Sequence, residues 1–475
     1  MKNALYNYPA ECSPAPQILE AGAVFPRVSV SPRPRVVGSR ARSVLCSVCS
    51  LLMLSAASSW VRAADRPNFL FILADDLGLE WLSCYGSEGQ QTPNIDRLAA
   101  AGVRFENVWA TPLCTPTRLE MLTGRYPFRT GWTVHNDVPR WGPPCFDWNR
   151  EICLVRPLRA AGYATAIAGK WQVNDLRTHP DALDRHGFDE HCVWPGFETG
   201  NPASPERYFD PFVQTNGKRE VRRGKFGPDV FREFLIDFMQ RHKEGPFFAY
   251  YSMVLPHPPM TKTPRNLDTT ASGPALYHGM VDYIDFEVGE LVKSLRALAL
   301  DRNTVVIFAS DNGAPGLKMR MRGLDVVGGK TKLTEAGIHE PLIVTWPGRI
   351  KPAVRDDLVD FSDILPTVLD VAGTKPPENV LDGRSFGPVL LGQTARYAPR
   401  EWIFSQLGSK RVVRDKRYKL WSDGRLFDLT ADPLEQHDLA TGDAPDSRAA
   451  RQRLQSVLDS LPPDVKLPFT RSIGE

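Results

Sequence analysis

Cys114, Pro116 and Arg118 open the stretch CTPTRLEMLTGR, residues 114–125, in which a thiol stands four residues before a guanidinium. Pro116 suits the first turn of a helix, and Leu119 and Leu122 form an apolar pair, so the stretch reads as a loop turning into a helix. A thiol at such an N-terminus lies beside unpaired backbone N–H groups, which favour negative charge and lower its pKa. Arg118, about one turn on, is expected on the same face, where its guanidinium can hold a tetrahedral oxyanion. Taken as an isolated pair, the two residues read first as a buried structural cysteine with an arginine in a surface ion pair, and the whole twelve-residue pattern shifts that balance.

Acids stand at two strand-like ends. The apolar run NFLFILA ends in Asp75 and Asp76, and NTVVIF is followed by Ser310, Asp311, Asn312 and Gly313. Such continuous runs suit strands buried on both faces of a parallel sheet, and ligand sites in those sheets lie beyond the carboxyl ends. Asp75, Asp76, Asp311 and Asn312 would together make an all-oxygen set, which fits calcium or magnesium better than zinc. A thiolate is a poor fifth ligand for such a cation, whereas an oxygen-bearing side chain at position 114 would fit. Three basic groups are candidates for the same edge. Lys170 ends the run YATAIAGKW, His257 is held between Pro256 and Pro258 after PFFAYYSMVL, and Lys330 follows a segment containing Gly316, Gly323, Gly328 and Gly329 that reads as flexible.

The stretch at Cys114 resembles the sulfatase signature, C-x-P-x-R with a closing T-G-R. That resemblance implies that Cys114 is converted after translation to formylglycine by a maturation enzyme, and that its hydrated aldehyde is the nucleophile. It implies calcium or magnesium on Asp75, Asp76, Asp311 and Asn312 together with the residue at 114. Lys170 matches the lysine of the family's G-K-W-H motif, which contacts formylglycine and sulfate, but Gln172 stands where that motif has histidine. Glutamine donates and accepts hydrogen bonds without moving a proton, so Gln172 is taken as a contact residue. His257 matches a histidine that binds sulfate and can protonate the leaving oxygen. Lys330 matches the sulfate-contacting lysine of K-x4-E-G-G-x-R-x-P, with Glu335 and Pro341 in register and Ala336 and His339 departing from it. The implied reaction is hydrolysis of an aryl sulfate or a sulfated carbohydrate. A phosphodiesterase or phosphonate hydrolase of the same superfamily, and a secreted sulfoglycan-binding protein without turnover, are the alternatives.

The elements that must position these residues fit an α/β fold. The resemblance implies an alkaline-phosphatase-like sandwich on a mostly parallel mixed sheet, with a small α+β carboxy-terminal subdomain. Pro228–Gln240 and the series Met280, Ile284, Val288, Leu291, Leu295, Leu298 have helical spacing and read as core. EWIFSQL, KRVVRDK, RYKLW and GRLFDL, broken by polar turns, suggest a small antiparallel sheet, and Ala449–Leu461 a terminal helix. The expected divisions are a leader at 1–64, a catalytic domain at 65–380 and a subdomain at 381–475.

The chain has 475 residues, 42% hydrophobic and 24% charged, with a net charge of +3. That balance suits a globular protein and gives no general basic field for nucleic acid. Arg40 and Arg42 precede an apolar run from Val44 to Ala57, with Ala63 and Ala64 beyond, as in a secretory signal peptide. Periplasmic or secreted localisation is expected, with no membrane span after signal removal, because later apolar runs such as Thr304 to Ala309 are short. Beside Cys114, the mature part holds Cys84, Cys145, Cys153 and Cys192, and an exported compartment would allow them two bridges.

Overall fold

Asn68–Ala74 is buried at every position, as a strand covered on both faces must be. It is β1 of a computed structural model that describes residues 66–142, 145–196, 207–442 and 444–467; the expected leader lies outside them. The strands that follow are β2 (Val103–Trp109), β3 (Ala164–Lys170), β4 (Glu190–Trp194), β5 (Phe212–Thr215), β6 (Lys218–Val221), β7 (Phe247–Ser252) and β8 (Thr304–Ser310). After them come β9 (Lys318–Met321), β10 (Leu324–Val327), β11 (Leu342–Thr345) and β12 (Ala353–Asp360). Ten of these form one sheet in the order β12-β2-β11-β8-β1-β7-β3-β4-β5-β6. Its centre, β8-β1-β7-β3-β4, is parallel, while β11 runs antiparallel to β8 and β2.

Register decides what reaches the rim. Ala74 pairs with Ser310, and Ser252 pairs with both Leu73 and Gly169. The carboxyl ends of four neighbouring strands therefore deliver Asp75, Asp311, Ser252 and Lys170 to one edge. Helices α1 (Pro93–Ala101), α2 (Cys114–Thr123), α3 (Gly227–Arg241), α4 (Leu276–Ala297) and α5 (Ile364–Val371) belong to the same body. Phe231, Leu235 and Phe238 of α3 and Met280, Ile284, Val288 and Leu291 of α4 share one core with Leu70 and Ile72 of β1. The aromatic and aliphatic stripes read from spacing are thus structural.

Two local readings are corrected. The strand leading to His257 stops at Ser252, so His257 stands on the irregular chain beyond it, flanked by Pro256 and Pro258. The glycine-containing segment after Asp311 is partly ordered as the hairpin β9-β10, in which Met321 pairs with Leu324. Its turn residues, Arg322 and Gly323, have φ of 50° and 78°, the backbone of a tight two-residue hairpin. The cysteines also differ from the allowance made for them: Cys84, Cys153 and Cys192 carry thiols and form no bridge. No helix among the described residues is long and apolar enough to cross a membrane.

The carboxy-terminal strands β13 (Ile403–Leu407), β14 (Lys410–Arg414), β15 (Tyr418–Trp421) and β16 (Leu426–Asp428) form the expected antiparallel sheet, with α6 (Pro445–Ser460) on one face. Val412, Trp421 and Phe427 pack from the other face against Trp109, Ile338 and Leu358. Glu335 ties the two sheets electrostatically. Its carboxylate accepts from Lys419 and Arg414 at 3.1 Å each and from the Trp109 indole at 3.3 Å. Burial opposes the charge, but Lys419 and Arg414 hold the carboxyl well below its ordinary range. The stability it gives is therefore present above the ordinary glutamate pKa and is lost as pH falls through the depressed one. Glu335→Gln should cost about 3 kcal/mol, the low end for a broken buried pair because Glu435 still holds Lys419. A denaturation midpoint equal to that of the parent protein would contradict this tie.

Candidate active site

Asp75, Asp76, Asp311 and Asn312 are fully buried at the rim and lie together as the sequence predicts. Asp311 Oδ1 accepts from the Asp76 N–H at 3.0 Å, and Asn312 Nδ2 donates to Asp76 Oδ1 at 2.8 Å. Asp76 has a φ of 72°, a left-handed backbone that aspartate tolerates better than most residues and that is common at functional sites. The expected cations meet these acids. Lys170 Nζ lies 2.9 Å from both oxygens of Asp75, and Lys330 Nζ lies 2.6 Å from Asp76 Oδ2. Burial would push both carboxyls up, yet Lys170 beside Asp75 and Lys330 beside Asp76 bring them below the usual range. Asp311 goes the other way. Burial pushes it up to about 7 even against Arg118, so of the three aspartates at the rim its charge is the least compensated.

Arg118 does not wait with a free guanidinium. Its Nε and Nη2 donate to Asp311 Oδ2 at 3.0 and 2.7 Å, Nη2 lies 3.4 Å from Asp75, and Nη1 donates to Ser252 Oγ. Cys114 is the first residue of α2, and Pro116 falls in its first turn, as expected. The thiol pKa, however, is raised rather than lowered: burial dominates, and Asp311 and Asp75 oppose a thiolate despite Lys170 and Lys330. Desolvation outweighs the helix terminus here. Cys114 Sγ lies 3.7 Å from Asp76 Oδ1.

His257 completes the cluster from beyond β7. Ligand atoms of Asp75, Asp76, Cys114 and His257 all lie within 4.8 Å of one another. His257 Nε2 is 3.7 Å from Asp76 Oδ2, and burial lowers the imidazole to about 3, although its side chain keeps 23% of its surface exposed. Gln172 is buried, with a φ of 61° and an Oε1 that meets no protein hydrogen-bond donor. Histidine is also tolerant of that backbone. Gln172→His should therefore keep turnover within about threefold of the parent or raise it; a severe loss would show that the glutamine itself serves the substrate.

Sequence reasoning missed three groups. Ser252 accepts from Arg118 and donates to the Lys170 carbonyl at 2.6 Å; as the one polar residue ending an apolar strand, it was detectable. His135 lies 3.4 Å by Nδ1 from Thr115 Oγ1, beside the reactive position, and Arg207 contacts His257. Neither carries a local signal, because both come from irregular segments whose path no periodicity describes.

A cation fits this cluster by its chemistry. Asn312 Oδ1 is buried without a donor, Asp311 is short of positive charge, and Asp75 and Asp76 add carboxylate oxygens, the hard donors calcium and magnesium prefer. By contrast, a cavity of about 400 Å³ beside the carboxy-terminal sheet is lined by Arg400, Lys416, Arg417 and Arg453, each already paired with an acid. It gathers no group suited to the chemistry above.

The family model described as Sulfatase matches residues 67–374, and that described as N-sulphoglucosamine sulphohydrolase, C-terminal, matches residues 329–462. The N-acetylgalactosamine-6-sulfatase of Canis lupus familiaris is 34% identical over 72% of this chain and 69% of its own. Arylsulfatase A of Homo sapiens is 31% identical over 80% of each chain. A solved Bacteroides thetaiotaomicron sulfatase of glycosaminoglycan metabolism superposes with a TM-score of 0.69 at 26% identity, covering 83% of this chain and 99% of its own. With the rim of acids and cations in place, these matches make the chain a member of the sulfatase family, with the alkaline-phosphatase-like fold. It is a hydrolase of sulfate esters.

Proposed function

We propose that the chain cleaves the sulfate ester of a sulfated carbohydrate or aryl sulfate with Cys114 converted to formylglycine and a divalent cation, calcium or magnesium, at Asp75, Asp76, Asp311, Asn312 and the residue at 114. One observation carries the reading: position 114 shares a buried cluster with Asp75, Asp76 and His257, yet burial keeps its thiol protonated. A cysteine so placed is a weak nucleophile and a poor ligand for a hard cation. The converted side chain would supply two oxygens on one carbon, one to take the sulfuryl group and one to release it, and the cation would supply positive charge beside them.

The chain's own residues account for the rest. Asp311 and Asp75 hold Arg118 in one orientation, so its charge stands beside the reacting position without having to reorganise. Lys170 and Lys330, each paired with one aspartate, set two further positive charges beside the reacting position for the sulfate oxygens. His257 Nε2 faces the cluster as a donor for the leaving oxygen, and Gln172 offers a neutral contact. The relatives' printed substrates favour a sulfated glycan among the candidates. Export, a maturation enzyme as partner, and division into a leader, a catalytic domain at 65–380 and a subdomain at 381–475 complete the proposal.

Chelation with EDTA should abolish turnover of p-nitrophenyl sulfate, and added calcium or magnesium should restore it. Turnover indifferent to chelation would remove the cation from the account. Faster cleavage of the corresponding phosphate diester than of the sulfate would favour a phosphodiesterase on the same fold.

A further inference from the structure

Arg207 is 1% exposed, and its guanidinium lies over the rings of Trp194 and Tyr208, 4.8 and 5.4 Å from their centroids. Its backbone is pinned as well: a Cβ on Gly227 would come 2.0 Å from the Arg207 carbonyl oxygen, so only glycine permits that approach at the start of α3. Tyr208, the next residue, donates its hydroxyl to the carbonyls of Val254 and His257. This segment therefore grips the chain on both sides of His257. From it, Arg207 Nη2 reaches His257 Nδ1 at 2.8 Å and donates to the Pro258 carbonyl.

A guanidinium nitrogen can donate but never accept. For the contact between Arg207 and His257 Nδ1 to be a hydrogen bond, Nδ1 has to accept, which leaves the ring proton on Nε2. We infer that Arg207 is a positioning residue that holds His257 as its Nε2–H tautomer, with that N–H turned toward Asp76 and Cys114. The competing arrangement has Nδ1–H donating to the Pro258 carbonyl, 2.7 Å away. It would set a second donor, Arg207 Nη2, against a protonated nitrogen. With Nδ1 as acceptor, Nη2 offers its two protons to Nδ1 and the carbonyl, and the like contact that is left, between the Nδ1 lone pair and the Pro258 oxygen, sets two neutral groups together, which costs less than an N–H facing the guanidinium charge. Which nitrogen carries the proton decides what the site receives: an Nε2–H gives a fixed donor to a substrate oxygen, whereas a bare Nε2 gives an acceptor.

The kinetic part of the test rests on the proposed sulfatase chemistry, while the spectroscopic part does not. In the full, metal-loaded protein labelled with ¹⁵N-histidine, His257 is expected to show a pyridine-type Nδ1 and a pyrrole-type Nε2, assigned by loss of the signals in His257→Gln. Arg207→Met should disturb that pattern and lower kcat for a sugar sulfate about 10–100-fold with KM within about threefold. The same substitution in a His257→Gln background should add little. Arg207→Lys, which keeps charge and bulk, serves if the methionine variant does not fold, and partial rescue is expected from it. A pyrrole-type Nδ1 in the parent protein would overturn the inference, as would unchanged kcat in a folded Arg207 variant or a change confined to KM. If the parent protein showed the predicted tautomer but cleaved no sulfate ester, the sulfatase chemistry would fail and the positioning role would stand.

Discussion

Cys114→Ser is expected to lower turnover of a sulfate ester by at least about 10⁴-fold, the scale on which removal of a nucleophile acts. Serine keeps an oxygen beside Asp76 and is smaller than the thiol it replaces, so the buried cluster should fold unchanged. What it lacks is the second hydroxyl on the same carbon. Any sulfuryl group it accepted would stay as a stable serine sulfate, and intact mass spectrometry after incubation with substrate should find that adduct or no reaction at all. Multiple turnovers by the serine variant within about tenfold of the parent would contradict the need for a converted residue. The raised thiol pKa sharpens this test, because an unconverted cysteine in the same place is held protonated by burial.

Arg118→Met is expected to act on stability and activity together. Asp311 would lose both donors to its Oδ2 while remaining fully buried, and Ser252 would lose its partner. Breaking such a buried pair costs about 3–5 kcal/mol, since the remaining charge has no water to turn to. The denaturation midpoint should fall accordingly, and kcat should drop at least about 100-fold from the loss of charge near the reacting centre. Arg118→Lys should recover part of the stability and little of the activity, because one ammonium cannot reproduce a fork that spans Asp311, Asp75 and Ser252. A methionine variant with an unchanged midpoint would show that Asp311 is neutral in the folded protein.

The site was largely legible because its parts sit where strands end. NFLFILADD and the NTVVIF run announce two buried parallel strands, and register alone then brings Asp75 and Asp311 to one rim. Cys114, Arg118, Lys170, His257 and Lys330 were found through spacing and the family motif they resemble. The order of strands across the sheet was not legible, because neighbours such as β1 and β7 lie far apart in sequence. Nor was the thiol's environment. A helix N-terminus is visible in a sequence, but the desolvation that overrides it depends on everything packed around it. The hairpin at 318–327 was misread because glycine marks a tight turn and a flexible loop alike. Arg207 and His135 reach the site from irregular chain, and only the folded structure brings them there.

In the proposed mechanism residue 114 works as an aldehyde and not as a thiol. Protein produced together with the maturation enzyme, and first shown to turn over p-nitrophenyl sulfate, should be digested and its peptide containing position 114 weighed. The expected result is the formylglycine mass in a fraction that rises in step with specific activity. Full activity in a preparation whose Cys114 peptide is entirely unmodified cysteine would contradict it.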